Sequence, residues 1–183
     1  MKKEDDMKIR KLLLLCVLLT FFVFLSAGWD FIQQKEPTPE EKVIANTAKL
    51  TAKFSEGKIE DMVTTLYNKD AVIFLPREDW LKQKGAPKEI LGFWAPLMKM
   101  FPDGKVKGHE MIIKFWTALK EIGVKKIVFE TVNLSIVNEV GNQTFKYSFI
   151  PGEKEGLKDP GGDGGGIWVH RLECTWEMIT QYF

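Results

Sequence analysis

The side chain best placed for acid–base chemistry is Glu130, a carboxylate that interrupts an apolar stretch. The apolar residues around it recur at the two-residue spacing of one strand face: Val128, Val132, Leu134 and Ile136. A carboxylate on an apolar face loses hydration, so its pKa rises and it can act as a general base. The alternative is that the sheet twists here, so that Glu130 reaches solvent or pairs with a lysine such as Lys125 or Lys126.

The two histidines are the next candidates for proton transfer. His109 stands at the predicted start of a helix, where an exposed side chain is the usual outcome. His170 lies on a predicted strand between Trp168 and Leu172 and points the same way as both, which would let it face a cavity. A Glu130–His170 pair would serve an isomerase or lyase, although no spacing links the two. With the histidines far apart and no clustered cysteines, the sequence predicts no metal site, and no motif in it predicts a cofactor.

Helices and a long hairpin must position these side chains. An apolar stripe at helical spacing crosses residues 112–122, and Gly123 ends it. β-Branched and aromatic residues then alternate from 128 to 149, which predicts two antiparallel strands. Upstream, the sequence TPEE at 38–41 predicts a capped helix that ends near Gly57, followed by a short helix and a strand that Pro76 terminates. The pattern predicts an α+β fold, one sheet with helices on one face.

Two stretches carry weaker patterns. Residues 90–101 are strongly apolar, but Pro96 is expected to interrupt any helix there, leaving a broken helix or lid. An insertion that extends the core is the alternative. Seven of the sixteen residues from 151 to 166 are glycine, which predicts a flexible connection. One or two strands follow, with a possible turn at Glu173-Cys174.

Charge argues against nucleic acid as a partner. The formal net charge of the 183 residues is +1, and five basic against three acidic residues fall within the first eleven. The rest of the chain is therefore close to neutral and has no dense basic stripe. Such a domain is a poor candidate for binding a phosphate backbone.

The N-terminal residues predict export. A basic start precedes an apolar run at 12–25, and Ser26-Ala27-Gly28 follows, as in a secretory signal peptide. We therefore expect a signal peptide over 1–28, a linker over 29–37 and a secreted domain over 38–183. The alternative is a membrane anchor formed by residues 12–29. Asn142 and Asn133 stand in glycosylation acceptor sequences, Asn142 on a predicted turn and Asn133 in mid-strand.

Four segments, in this order, resemble the signature segments of the nuclear transport factor 2-like superfamily: FSEG at 54–57, LYNKDAV at 66–72, GHEMI with FW at 108–116, and FETV at 129–132. The similarity is greatest to its SnoaL-like and ketosteroid isomerase-like branch and covers about residues 40–182. It implies a cone-shaped, cystatin-like fold. In that fold a curved antiparallel sheet packs on three or four helices around an apolar cavity.

The resemblance also implies where isomerase chemistry would sit, and this chain departs from it. The aspartate base of those isomerases corresponds to Leu75, and their oxyanion-hole tyrosine corresponds to Leu50. Lys146 replaces an acidic residue usual on the second hairpin strand. The resemblance therefore favours a domain that binds a small apolar molecule or forms a homodimer over an isomerase or lyase. The predicted pocket combines aromatic and polar side chains: Trp94, Trp116, Trp168, Glu130, Lys146 and His170. Large aromatics are, however, more commonly core.

Overall fold

A computed structural model describes residues 36–152, 159–170 and 176–183. Thr38–Phe183 form one compact unit. The predicted signal peptide or anchor, nearly all of the linker and the Glu173-Cys174 turn lie outside the described residues. Within the described part of the chain, no helix is long and apolar enough to cross a membrane.

The first two helices begin and end as the sequence predicts. Helix α1 (Pro39–Ser55) starts at a capping box, in which Thr38 Oγ1 accepts from Glu41 N and Glu41 Oε2 accepts from Thr38 N. Gly57, at φ +76°, ends it in the left-handed conformation that glycine adopts without strain. Helix α2 (Ile59–Leu66) follows. Both bury one apolar face.

In the described residues, six strands form one curved sheet that does not close into a barrel. They are β1 (Tyr67–Phe74), β2 (Lys105–Lys107), β3 (Val124–Val137), β4 (Val140–Pro151), β5 (Gly162–His170) and β6 (Trp176–Tyr182). The spatial order is β2-β1-β6-β5-β4-β3. Strands β1 and β6 run parallel, and every other pair is antiparallel. Helix α1 packs on β3, and helix α5 (Gly108–Glu121) packs on β1.

Strand β3 contains a bulge that changes which residues face the core. The register with β4 shifts between Thr131 and Asn133. Before the bulge Ile127 and Phe129 pack inward, and after it Leu134 and Ile136 do. One extra residue reverses the side-chain alternation, so a single period-two pattern cannot describe the whole strand. The prediction that Val128, Val132, Leu134 and Ile136 share a face is wrong for its first half, and Val132 is 61% exposed.

The segment between β1 and β2 folds as two helices, α3 (Glu78–Gln83) and α4 (Lys88–Met100). Helix α4 continues through Pro96, so the predicted interruption is wrong. Proline removes one N–H, and its ring presses on the residue four positions earlier, which here is Gly92. Burial of Phe93, Trp94 and Leu97 holds the helix in place. The segment extends the core, as the alternative prediction had it.

Residues 153–158 of the glycine-rich stretch lie outside the described residues, but its last part is a strand rather than a flexible connection, because Gly162–His170 form β5. Glycine is required there for close packing. A Cβ atom on Gly164 would lie 2.5 Å from the backbone oxygen of Tyr182 and 2.7 Å from Phe145 Cε2. The glycine content indicated flexibility, but Phe145 and Tyr182 pack into the space that larger side chains at Gly164 and Gly165 would occupy.

Candidate functional site

Glu130 and Lys146 lie on the solvent face of the sheet. They are direct cross-strand partners between β3 and β4, and both are exposed. Lys146 in turn pairs in register with Asp163 on β5. The bulge after Thr131 places Glu130 on this face, so the solvent alternative holds and the predicted apolar surroundings are wrong. The opposing lysine is Lys146 rather than Lys125 or Lys126.

His170 does not meet Glu130. Its Nδ1 lies 3.7 Å from Glu139 Oε1, and its ring packs 5.4 Å from that of Trp176. Glu130 lies opposite Lys146, and Lys146 lies opposite Asp163, so Asp163 marks the level of Glu130 on β5. His170 is seven positions further along β5, which corresponds to about 23 Å. The structure therefore does not bring the predicted acid–base pair together.

His109 has a local structural contact. Its Nε2 lies 2.8 Å from the backbone oxygen of Tyr67, which links the start of α5 to β1. The ring is partly buried rather than exposed. In the described residues, no group of three or more histidine, cysteine or acidic side chains could hold a metal ion.

Trp168 belongs to a buried polar network whose groups are all paired. Gln143 Oε1 accepts from Trp168 Nε1 at 2.9 Å, and Gln143 Nε2 donates to Thr131 Oγ1 at 2.8 Å. The Thr47 hydroxyl completes the network from helix α1. A fully satisfied network of this kind ties a helix to a sheet and leaves no group for a ligand. Trp168 is therefore a core residue rather than a pocket wall.

Trp94 and Trp116 belong to an aromatic cluster around Phe183. The Phe183 ring is half-buried, and five other ring centroids lie 5.0–6.1 Å from its own: Tyr147, Phe149, Trp94, Phe115 and Trp116. Helices α4 and α5 supply three of these rings and β4 supplies two. The ring of Phe183 thus packs into the interior between α4, α5 and β4. Sequence reasoning missed Phe183, because a single aromatic after a strand gives no periodic signal.

Next to this aromatic cluster is a second buried polar group, which we call the Tyr67 cluster: Tyr67, Gln181 and Trp116. The Tyr67 hydroxyl donates to Gln181 Oε1 at 2.5 Å. Burial raises the pKa of the Tyr67 hydroxyl above its ordinary value. The Trp116 indole N–H lies near the phenol oxygen without meeting hydrogen-bond geometry, and it opposes part of that rise. Two donors remain without a partner among the described residues, Gln181 Nε2 and Trp116 Nε1.

Tyr147 borders the aromatic cluster on β4. Burial raises the pKa of its hydroxyl, and the carboxylates of Asp159 and Asp163 raise it further. Asp159 is held by its own hydrogen bonds, because its Oδ1 accepts from the backbone N–H groups of Phe149 and Gly161 at 2.8 and 2.9 Å. Both carboxylates are exposed, so they act on Tyr147 from the surface beside the aromatic cluster.

The positions that the resemblance assigns to the isomerase base and donor are apolar and buried. Leu75 is 5% exposed and Leu50 is 0% exposed. The backbone N–H of Leu75 donates to Gly104 O at 2.9 Å, which fixes the chain directly after β1. Neither side chain can move a proton.

The two glycosylation acceptor asparagines both lie on strands with exposed side chains. Asn142 is in β4, opposite Ser135 on β3, so its predicted position on a turn is wrong. The turn instead uses Asn138 and Glu139, whose φ angles of 47° and 66° suit a tight hairpin. Asn133, predicted in mid-strand, lies in β3 beside the bulge.

An open groove of about 1240 Å³ crosses the surface between α3, α4 and the turn that leads into β2. Its lining mixes apolar and charged side chains, among them Leu91, Met98, Lys99 and Lys105. No sequence motif marks it. Only the packing of the two helices against the turn creates it.

Comparison with known proteins identifies the fold but not the sequence family. No protein-family model matches the chain, and no curated protein matches its sequence. A structure of an NTF-2-like protein of unknown function from Shewanella oneidensis matches 79% of this chain and 98% of its own, with 8% identity and a TM-score of 0.52.

Two further structures are similar to the same extent. A provisionally assigned ketosteroid isomerase from Parabacteroides distasonis matches 82% of this chain and 89% of its own, with 11% identity and a TM-score of 0.51. A protein from Catenulispora acidiphila in complex with S-DNPA matches 76% and 87%, with 14% identity and a TM-score of 0.53. At such low identity these similarities establish the fold alone.

Proposed function

We propose that this chain, which has the nuclear transport factor 2-like fold, binds a small apolar molecule in the interior now filled by Phe183, without catalysing a reaction on it. The proposed ligand carries one hydrogen-bond acceptor directed at the Tyr67 cluster.

The two unpartnered donors carry this proposal. Gln181 and Trp116 are both 0% exposed, and their free N–H groups lie beside the buried hydroxyl of Tyr67. A buried donor without an acceptor costs about 1–3 kcal/mol, so native proteins rarely keep one without a role. An acceptor atom of a ligand would satisfy these donors.

The rings around Phe183 define the rest of the ligand. A molecule that displaces Phe183 would contact the same aromatic faces, so a ring of similar size is the natural occupant. Displacing a half-buried phenylalanine costs up to about 2 kcal/mol of apolar burial, which the ligand's own burial must offset. An aromatic ketone combines the ring with the acceptor. The S-DNPA complex of the Catenulispora protein supports small-molecule binding by this fold.

Apolar side chains at the base positions favour binding without turnover. Proton abstraction needs a positioned base and a donor for the developing oxyanion. Leu75 and Leu50 offer neither, and Glu130 and His170 lie on different parts of the sheet. The isomerase or lyase alternative is favoured by the fold, which a provisionally assigned ketosteroid isomerase shares, but by no pair of described side chains identified as acid and base.

Acetophenone and its near-isostere cumene test the proposal, since only the ketone has an acceptor. We expect calorimetry to show tighter binding of acetophenone by about 2- to 10-fold, the value of one hydrogen bond. Phe183→Ala should tighten both ligands, because it removes the competing ring. Gln181→Met should reduce the preference for the ketone, because only the Trp116 N–H then remains as a free donor. Equal affinities for both ligands in the wild-type protein, or no binding even to the Phe183→Ala variant, would contradict the proposal.

We also propose that the domain works outside the cytoplasm. The basic start and the apolar run at 12–25 support export, with residues 12–29 as an anchor if the segment is not removed. Intact mass of the protein from an exporting host is the test. A mass lacking about the first 28 residues supports cleavage, whereas a full-length chain in the cytoplasmic fraction contradicts export.

Dimerisation through the sheet is a second proposal, supported by exposed apolar residues on β3 and β4. Val132 is 61% exposed, and Ile150 is 40% exposed. Sedimentation should show a dimer that Val132→Lys dissociates, while Ile44→Lys, at an exposed apolar position on helix α1, serves as the control. A wild-type protein that stays monomeric at high concentration would rule this contact out.

A further inference from the structure

The charges lining the surface groove are only partly paired. Arg77 forms an ion pair with Asp79 at 3.0 Å, and Lys82 pairs with Glu78 at 2.6 Å. The remaining charged residues of the lining are Lys99, Lys105 and Asp103, and none of the three forms an ion pair with a described residue. Two cations against one anion leave the groove with a net charge of +1.

Between these charges the groove is lined by apolar surface. Helix α4 contributes Leu91, Ala95 and Met98, and the turn before β2 contributes Phe101 and Pro102. Phe101 is 3% exposed and packs against Phe115, which joins that wall to the core. An apolar body lying in this groove would be desolvated on one side.

Helix α4 leaves this space open at Gly92. Pro96 has no N–H, so the carbonyl of Gly92 lacks its usual helical donor. Gly92 itself is exposed and lines the groove, and a Cβ atom built on it meets nothing within 4 Å. Glycine in a helix interior costs roughly 0.5–1 kcal/mol relative to alanine. The helix thus keeps a residue that is unfavourable to it where the groove passes.

We propose that this groove is a second binding site, distinct from the Phe183 interior, and that it takes an amphipathic anion. The ligand is a carboxylate with an apolar tail. Its tail lies along Leu91, Ala95 and Met98, and its head group is held by the ammonium groups of Lys99 and Lys105.

The test compares octanoate with octanamide, which has the same tail but no charge. Calorimetry with the full chain should show octanoate binding at least about tenfold more tightly, because two ammonium contacts favour the anion. Rising salt should narrow that gap, since exposed charges are screened. Replacing both lysines by glutamine should remove the preference, while Lys84→Gln, outside the lining, should leave it intact.

Steric variants locate the ligand. Gly92→Phe should block binding because its side chain enters open space, and Gly92→Ala is the matched control that leaves the groove free. Ala95→Phe, at another exposed lining position, is an independent second block. All three variants should keep the melting behaviour of the wild-type protein or improve on it.

Four other results would each contradict the proposed groove site. Octanoate binding that survives both phenylalanine variants excludes the groove. Binding lost in Gln181→Met but kept in Gly92→Phe places the carboxylate in the interior instead. Equal binding of octanamide excludes recognition of the anion. Absence of octanoate binding to the wild-type protein refutes the groove proposal without touching the interior one, because acetophenone probes that site separately.

Discussion

The Tyr67 cluster should cost the folded chain stability, and a double substitution can measure that cost. Tyr67→Phe removes the hydroxyl and leaves Gln181 Oε1 unpaired, in addition to the Gln181 N–H that is already free. We expect it to lower the free energy of unfolding by about 1–3 kcal/mol. Gln181→Met keeps the shape, removes the free donor and leaves the Tyr67 hydroxyl unpaired. Those two effects oppose each other, so its net effect should be close to zero.

The double variant removes every unpaired group of this residue pair. Replacing both partners of a buried hydrogen bond by apolar groups of similar shape is nearly neutral, and here it also eliminates one free buried donor. We expect the double variant to be as stable as the wild-type protein or more stable by about 1–2 kcal/mol. It should nevertheless show a smaller preference for acetophenone over cumene, because only the Trp116 N–H remains as a free donor. Stability gained together with weaker ketone binding would indicate that the cluster serves the ligand.

Urea unfolding at neutral pH supplies the four free energies, provided that the slope with urea is the same for all variants. Gln143→Met is the control, because the amide of Gln143 is fully paired in the Trp168 network. It should be destabilising by about 2–3 kcal/mol, since it leaves the buried Trp168 N–H without an acceptor. If instead the double variant loses the sum of the two single losses, the hydroxyl and amide are structural and the reasoning fails.

Three further predictions concern the backbone and the ionisation of buried phenols. Gly164→Ala should lower the free energy of unfolding by about 1–3 kcal/mol, because its Cβ meets the neighbouring strand. Gly92→Ala should raise it by about 0.5–1 kcal/mol. Equal effects of the two substitutions would contradict the close packing at Gly164. Pro96→Ala should stabilise the chain by up to about 3 kcal/mol in the same assay, and a loss would show that the proline is needed for the helix. The raised pKa values of Tyr67 and Tyr147 mean that the unfolded chain releases these protons first, so stability should fall as pH rises above about 10. Phenylalanine at either position should flatten that fall, and an unchanged slope would refute the burial argument.

The sequence predicted the fold where local signals and packing agree. The capping box at Thr38 and the stripe that ends at Gly123 fixed helices that the structure confirms. Strand β4 kept a strict alternation, so Phe145, Tyr147 and Phe149 are buried as the pattern requires. In these segments the secondary structure that the local sequence favours is the one that buries its apolar side chains in the fold.

The failures share one physical cause, which is tertiary packing that overrides a local rule. The bulge in β3 has no composition signal, and it alone moved Glu130 from the core face to solvent. Pro96 should break a helix, but burial of its neighbours outweighs the lost hydrogen bond. The glycines of β5 indicated a loop, because the residues that pack closely against them, Phe145 and Tyr182, are distant in sequence.

The candidate site was predicted least well, since its members are distant in sequence. Tyr67, Trp116 and Gln181 come from three separate elements, and only the pairing of β1 with β6 brings two of them together. Of the predicted pocket residues, Trp94 and Trp116 border the interior, whereas Glu130 and Lys146 lie on the solvent face. The parallel pairing of β1 with β6 could not be predicted, because no local sequence pattern indicates which distant strands pair.

The indole N–H resonances of the folded protein offer the most direct measurement of ligand capture by the Tyr67 cluster. On titration with acetophenone, two-dimensional nitrogen–proton spectra should show the Trp116 resonance moving as its free N–H gains an acceptor. The Trp168 resonance should stay in place, because that N–H is already bonded to Gln143. A Trp116 signal unmoved at saturating ketone, or moved equally by cumene, would contradict the proposed binding mode.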